Sequence, residues 1–264
     1  MTEVALSAVR AKTASVALQA DRIALLASYG LGPTVTRSLA ALTAALSSRG
    51  YQTILIRASA DQRPLEWPGT VPDGVSVVRR ANAAYDFGSW SDALLSMPDI
   101  TSRDKVMFVN DSLIGPFSSI DPLLDDFETA EADAWGAITN PQVFPHVQSF
   151  LYGFRRQTLA TPPLREFWAR IRPQVEKMDY VWKYELGLNR VLFSEGFVVE
   201  SRFGDRSFGY GHVNPTLDRW KELMIRGFPF VKRALLTDED HPERASEAVA
   251  FANDYYGIDI HEWL

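Results

Sequence analysis

Two hydrophobic rhythms alternate along the chain. Short unbroken apolar runs are separated by stretches in which apolar residues recur every three or four positions. Residues 23–28 (IALLAS) form the first run, bounded by Asp21-Arg22 and Tyr29-Gly30, and read as a buried strand. Residues 34–49 then carry Val35, Leu39, Leu42 and Leu46 at helical spacing and stop at Gly50. Residues 52–57 are β-rich again, so the chain opens strand–helix–strand, the start of a parallel sheet with right-handed crossovers. A loop rich in Pro, Gly and charge over 61–74 leads to a third strand at 75–79 and a helix at 88–97. Residues 105–110 are apolar almost throughout, as expected of a central strand covered on both faces. Strands follow at 134–139 and 149–154, then a long helix over 181–194 closed by Gly196 and a strand at 197–200.

This pattern predicts an α/β protein with a mainly parallel central sheet flanked by helices. A helical arm is expected over 1–20, a core over 21–204, and an irregular, helical C-terminal extension packed on that core over 205–264. In such sheets ligands bind at the carboxyl ends of the strands. The loops that matter are therefore those after Ser28, Arg79, Asn110 and Thr139.

Composition narrows the chemistry. With 264 residues, 46% hydrophobic and 12% aromatic, the chain can build a sizeable core. A net charge of −6 argues against nucleic acid as the main partner, because neutralising phosphates needs a basic face. There are no cysteines, which excludes disulfides, thiolate metal sites and a cysteine nucleophile, and fits a cytoplasmic location. No run of about 18 apolar residues reads as a membrane span. The Ala-rich N-terminus, with charges scattered through it, suits a short amphipathic helix better than a signal peptide and allows peripheral contact at the inner face of a membrane.

Several common sites are missing. Gly30-Leu31-Gly32 follows the first strand, but the third glycine of a dinucleotide fingerprint would fall at Val35. There is no P-loop and no nucleophile elbow, and the four histidines lack zinc-hydrolase spacing. A phosphatase-like aspartate after the first strand is absent too, since residues 23–28 hold no acid.

What remains is polar residues at strand ends. Asn82 to Trp90 (NAAYDFGSW) follows the third strand. Asp86 or Ser89 suits a helix N-cap, and the same acid and hydroxyl between aromatics suit a ribose and a flat base. Asn110-Asp111-Ser112 ends the central strand before Gly115-Pro116. It suits an Asx turn, or a carboxylate meeting a phosphate-bound divalent cation.

These pieces in this order resemble the rhamnan synthesis F family of glycosyltransferases. The matching segments are Asn82-x-x-Tyr85-Asp86-Phe87-Gly88-Ser89-Trp90, Phe108-Val109-Asn110-Asp111-Ser112-x-x-Gly115-Pro116, His146-Val147-Gln148-Ser149-Phe150, Tyr184-Glu185-Leu186-Gly187-Leu188, and Asn214-Pro215-Thr216 leading to Gly227 through Arg233. The resemblance implies a GT-A-like fold. It also implies transfer of a sugar, such as rhamnose or another hexose, from a nucleoside-diphosphate sugar to a glycan or lipid-linked acceptor in bacterial surface polysaccharide synthesis. It aligns Asn110-Asp111-Ser112 with the metal-binding D-x-D motif, but with one carboxylate.

On that reading Asp111 serves catalysis and, with a late histidine such as His212, holds Mn²⁺ or Mg²⁺. Tyr29, Asp86, Ser89, Asn110, Ser112 and Lys232 face the nucleotide sugar, while His146 and Gln148 face the acceptor. Glu185 is expected to be the base of an inverting transfer, its pKa raised by the aromatic and apolar residues around it, with Asp179 as the rival base. The competing reading is a non-catalytic nucleotide- or glycan-binding module derived from such a transferase.

Overall fold

The computed structural model describes residues 16–204, 213–237 and 241–264, and it gathers the apolar runs into one sheet. The strands are β1 (Arg22–Tyr29), β2 (Gln52–Ala58), β3 (Val75–Arg80), β4 (Lys105–Asn110), β6 (Ala134–Asn140), β7 (His146–Val147), β8 (Leu151–Arg155) and β9 (Val199–Phe203), after a two-residue β5 (Leu113–Ile114). Their order is β3-β2-β1-β4-β8-β6-β7, with β9 beside β6. All run parallel except β8 and β7, which pair antiparallel with their neighbours. The expected mainly parallel α/β sheet is what forms.

The sheet is buried on both faces because its strands are apolar at both odd and even positions. Along β1, Ile23, Leu25 and Ala27 enter one core with Trp90, Phe108 and Trp168, while Ala24 and Leu26 enter the other with Leu39, Leu42 and Phe127. Helices α1 (Arg37–Ser48) and α3 (Asp121–Thr129) cover the second face. Helices α2 (Tyr85–Ser96), α4 (Pro162–Ala169) and α5 (Leu186–Ser194) cover the first. In that first core the Phe108 ring stacks between Tyr152 and Trp168, at centroid distances of 5.0 and 5.2 Å. The Trp90 indole donates to the Leu25 carbonyl at 3.1 Å, so this buried donor is paired.

Gly153 shows how tightly α3 lies on the sheet. A Cβ there would sit 2.6 Å from the ring of the fully buried Phe127 and 3.1 Å from the Val106 carbonyl. Replacing Gly153 by alanine is expected to cost about 1–3 kcal/mol through overpacking, read as a fall of several degrees in melting temperature.

The helices α3 and α4 and the short strands β5 and β7 were not expected, and further elements depart from expectation. α2 begins at Tyr85 rather than Gly88. The helix expected over 181–194 is a short turn at Lys177–Tyr180 and a π turn at Val181–Glu185, followed by α5. The last core strand is shifted to Val199–Phe203. The C-terminal extension contains α6 (Pro242–Tyr256), 15 residues long, and β10 (Val231–Lys232), which pairs antiparallel with β5. Most of the expected N-terminal arm lies outside the described residues, and residues 16–20 are not helical.

The extension packs on the core through its own apolar cluster, in which Ile114 of β5 meets Val231, Leu235 and Trp263. Gly115, at φ +130°, allows the Pro229 carbonyl to within 2.5 Å of where a Cβ would project. No helix among the described residues is long and apolar enough to cross a membrane.

Candidate active site

The carboxyl ends of β1 and β4 lie side by side, since the two strands pair in parallel with Ala27 opposite Asn110. The register delivers Asp111 directly beside Ser28 and Tyr29. Asp111 Oδ2 accepts from Ser28 Oγ and from the Tyr29 amide, both at 2.9 Å. Burial pushes the Asp111 pKa above its ordinary value, while these two hydrogen bonds and the charges of Arg233 and Arg57 oppose the rise. The Tyr29 side chain is half-exposed at the strand end.

Asn110 is buried and bonded at both ends of its amide. Its Nδ2 donates to Asp86 Oδ2 at 2.7 Å, and its Oδ1 accepts from the Ser112 amide and hydroxyl at 3.1 and 2.5 Å. The Asx-type turn read from the sequence therefore exists, and it also ties the end of β4 to the start of α2. Asp86 is raised to about pH 7 by burial first and by the charge of Asp111 second.

Ser89 lies deeper. It is 2% exposed, donates to the Tyr85 carbonyl at 3.3 Å and accepts from Arg80 at 3.1 Å. Arg80 also holds the Ala83 carbonyl at 2.7 Å and pairs with Asp92 at 2.8 Å. It thereby braces the left-handed residues Ala84 (φ 62°) and Tyr85 (φ 48°) at the head of α2. Ser89 shapes that turn from beneath.

Across the edge, Glu185 Oε2 accepts from the Ser149 amide at 2.8 Å and from Ser149 Oγ at 2.5 Å. Its Oε1 lies 3.5 Å from His146 Nε2. His146 is buried, with Nδ1 2.8 Å from the Phe144 carbonyl. The expectation of a raised Glu185 pKa is corrected here. Burial pushes it up, but His146, Lys232 and Ser149 outweigh burial and hold the carboxyl below its ordinary value. The aromatic neighbours in sequence turn elsewhere: Tyr180 and Tyr184 enter the core and Trp182 is exposed.

Gln148 is also buried. Its Nε2 reaches Asn214 Oδ1 at 3.4 Å, and its Oε1 has no partner among the described residues. Asn214 caps the helix Pro215–Asp218, so this contact joins core and extension.

The β5–β10 pair brings in the extension's cations. Lys232 Nζ lies 5.6 Å over the Phe150 ring, its pKa pushed down by burial and partly restored by Glu185. Arg233 donates its amide to the Ser112 carbonyl at 2.7 Å and its Nε to the Asp111 carbonyl at 3.3 Å. The structure thus brings together Asp111, Asn110, Ser112, Asp86 and Tyr29 on one side and Glu185, His146, Gln148 and Lys232 on the other. His212 lies outside the described residues, and no group of three His, Asp or Glu side chains able to hold a metal occurs among those described. The available metal donor is Asp111 itself, whose Oδ1 is not used by the two bonds above.

Arg57 did not emerge as a site residue from the sequence reading, whereas Arg233, next to Lys232, was a candidate for neutralising diphosphate. Arg57 closes an apolar strand and reads as a strand-edge charge. Arg233 gains its position only from the two-residue β5–β10 pairing.

Fold and edge chemistry together define an α/β protein with a mainly parallel sheet, in which acid, amide and cation converge at the end of the central strand. Residues 71–255 match the family described as Rhamnan synthesis protein F. The chain belongs to that family. Curated relatives include Virulence protein VirA of Vibrio anguillarum (strain ATCC 68554 / 775), 30% identical across 68% of this chain and 69% of the relative. The protein y4gN of Sinorhizobium fredii (strain NBRC 101917 / NGR234) is 26% identical across 54% of this chain and 40% of its own length. Among solved structures, the chain is similar to a glycosyltransferase involved in the glycosylation of the major capsid of PBCV-1, with 11% identity, a TM-score of 0.41, and 86% of this chain and 98% of that one covered. It is also similar to the glycosyltransferase GlyE in Streptococcus pneumoniae TIGR4, with 12% identity, a TM-score of 0.38, and 79% and 50% covered.

Proposed function

We propose that this protein is a glycosyltransferase that moves a sugar from a nucleoside-diphosphate sugar to a hydroxyl of a bacterial surface polysaccharide or its lipid-linked precursor, at the cytoplasmic face of the membrane. Family membership supports the reaction class. The observation that carries the reading is the convergence of Asp111 and Arg233 at the carboxyl end of β4, with Lys232 beside Glu185 across the edge. A leaving diphosphate needs its charge neutralised, and Lys232 and Arg233 offer two cations for that task. Where a divalent cation takes part, Asp111 and the donor's own phosphate oxygens would hold it, and it would supply further neutralisation. EDTA is then expected to cut turnover at least about tenfold, with Mn²⁺ or Mg²⁺ restoring it. Indifference to EDTA would assign the task to the two cations.

The acceptor hydroxyl must lose a proton as the bond forms. Two acids flank the site, and their surroundings push their pKa values apart: Asp86 to about 7, Glu185 below its ordinary value. Glu185 lies on the acceptor side beside His146 and Gln148 and accepts the proton in our reading. Asp86 has the affinity for a proton that suits a base at neutral pH. The pH–rate profile separates them. An acid limb near pH 7 that vanishes in Asp86→Asn would give the base role to Asp86. A limb far below that, unmoved in Asp86→Asn, would keep it with Glu185.

The reading as a whole is tested by a thermal-shift screen over UDP-, GDP- and dTDP-sugars, followed by a donor-hydrolysis assay. Stabilisation with slow hydrolysis supports a transferase. Stabilisation without any hydrolysis or transfer would leave a binding module.

A further inference from the structure

Arg57 is a buried arginine at the end of β2, 4% exposed, with no ion pair among the described residues. Burying an unpaired cation is costly, and such a group persists where its donors are fully used or where it acts on something nearby. Its donors are spent on two things. Arg57 Nη1 donates to Ser28 Oγ at 2.7 Å and to the Tyr29 carbonyl at 3.1 Å. Nη2 donates to the carbonyls of Gly32 and Thr34, at 3.1 and 3.2 Å.

The first contact has a directional consequence. A hydroxyl has one hydrogen. Because Arg57 fills an acceptor position on Ser28 Oγ, the Ser28 hydrogen is free to point to Asp111 Oδ2, 2.9 Å away. Arg57 Nη1, the Ser28 hydroxyl and the Asp111 carboxylate form a line of two hydrogen bonds, while the buried Arg57 Nε has no partner among the described residues. Asp111 is the nearest countercharge, and it partly restores the Arg57 pKa that burial pushes down. The second contact fixes the loop after β1. The guanidinium sits so close under Gly30 that a Cβ there would fall 1.8 Å from Nη2, so only glycine lets the loop lie flat on it.

We propose that Arg57 is a positioning residue for the transfer: through Ser28 it orients the Asp111 carboxylate, and through Gly32 and Thr34 it shapes the loop beside that acid. The proposal rests on Asp111 serving a nucleotide-sugar site. Arg57 is not assigned any contact with substrate.

The test uses Ser28→Ala and Arg57→Lys in the full chain. A lysine keeps the charge but cannot span four acceptors in one plane. In crystal structures of both variants, the Asp111 carboxylate is expected to leave the Tyr29 amide or to split between two rotamers. An Asp111 that stays in place in both variants overturns the proposal, and if Arg57→Lys does not fold, Ser28→Ala alone decides this arm. In the donor-hydrolysis assay, each variant is expected to lose about tenfold to a hundredfold in kcat with KM for the donor changed much less. Arg57→Lys should have no further effect once Asp111 is already replaced by asparagine. An equal loss in both backgrounds would mean that Arg57 acts on the fold and not through Asp111, and would overturn the proposal. A wild-type chain that hydrolyses no donor strikes the transferase reading alone, because the crystallographic arm needs no activity.

Discussion

Asp111→Asn is expected to lower sugar transfer by about a hundredfold or more, the usual loss when a charge-stabilising group is removed from a preorganised site. Asparagine keeps an oxygen that can accept from Ser28 Oγ and the Tyr29 amide, so the turn should persist. Stability gives an independent check, and its sign follows from burial. The Asp111 pKa is raised in the folded chain, so ionising it opposes folding. The contribution of this group to stability is greatest at low pH and is lost as pH rises through its folded pKa. The variant should therefore match or exceed the wild type in melting temperature above that range, and the advantage should vanish in acid. A variant with lost transfer and a melting temperature many degrees lower at every pH would mean that Asp111 holds the fold rather than the reaction. Full activity would remove it from the site.

Glu185→Gln should behave in the opposite way. Its carboxylate is held ionised by His146, Lys232 and Ser149 in spite of burial. A folded pKa below the ordinary value means that Glu185 stabilises the chain above the usual glutamate range, and that this contribution is lost as pH falls through the folded value. Glutamine keeps the shape but gives up the charge, weakening the two bonds from Ser149 and leaving Lys232 without its countercharge. A loss of about 1–3 kcal/mol at neutral pH follows, shrinking toward zero in acid. Turnover should fall at least about a hundredfold while the donor still binds, if the carboxylate serves the acceptor as proposed. Unchanged turnover would withdraw Glu185 as the base. Loss of donor binding in parallel would recast it as a pin between the π turn and Ser149.

The parts of the fold that rest on long apolar runs were readable in advance. Strands β1, β2 and β4 are unbroken hydrophobic segments, so their existence and central position follow from solvent exclusion alone. Asp111 stood out for the same reason, as an acid where such a run stops. β5 and β10 were not readable, since two residues carry no period. α3 was passed over although its Leu123, Leu124 and Phe127 form a buried stripe, because Pro122 and four acids make the segment look like loop.

The Glu185 environment was misjudged because neighbours in sequence were taken for neighbours in space. The π turn sends Tyr180 and Tyr184 into the core, while Ser149 and His146, about forty residues away along the chain, set the carboxylate's charge. Ser89 is a similar case. Its hydroxyl is spent on Arg80, a partner that a local reading does not supply.

The pairing of β5 with β10 has a consequence for synthesis. Lys232 and Arg233 reach this edge only when Val231 and Lys232 join Leu113 and Ile114, a contact that spans nearly half the chain. A nascent polypeptide still held on the ribosome can thus assemble the sheet and present its acids well before the two cations emerge. During that interval Asp111 has Arg57 but not Arg233 as a countercharge, and Glu185 lacks Lys232. The growing chain gains these two cations only after residues 231–233 have been made.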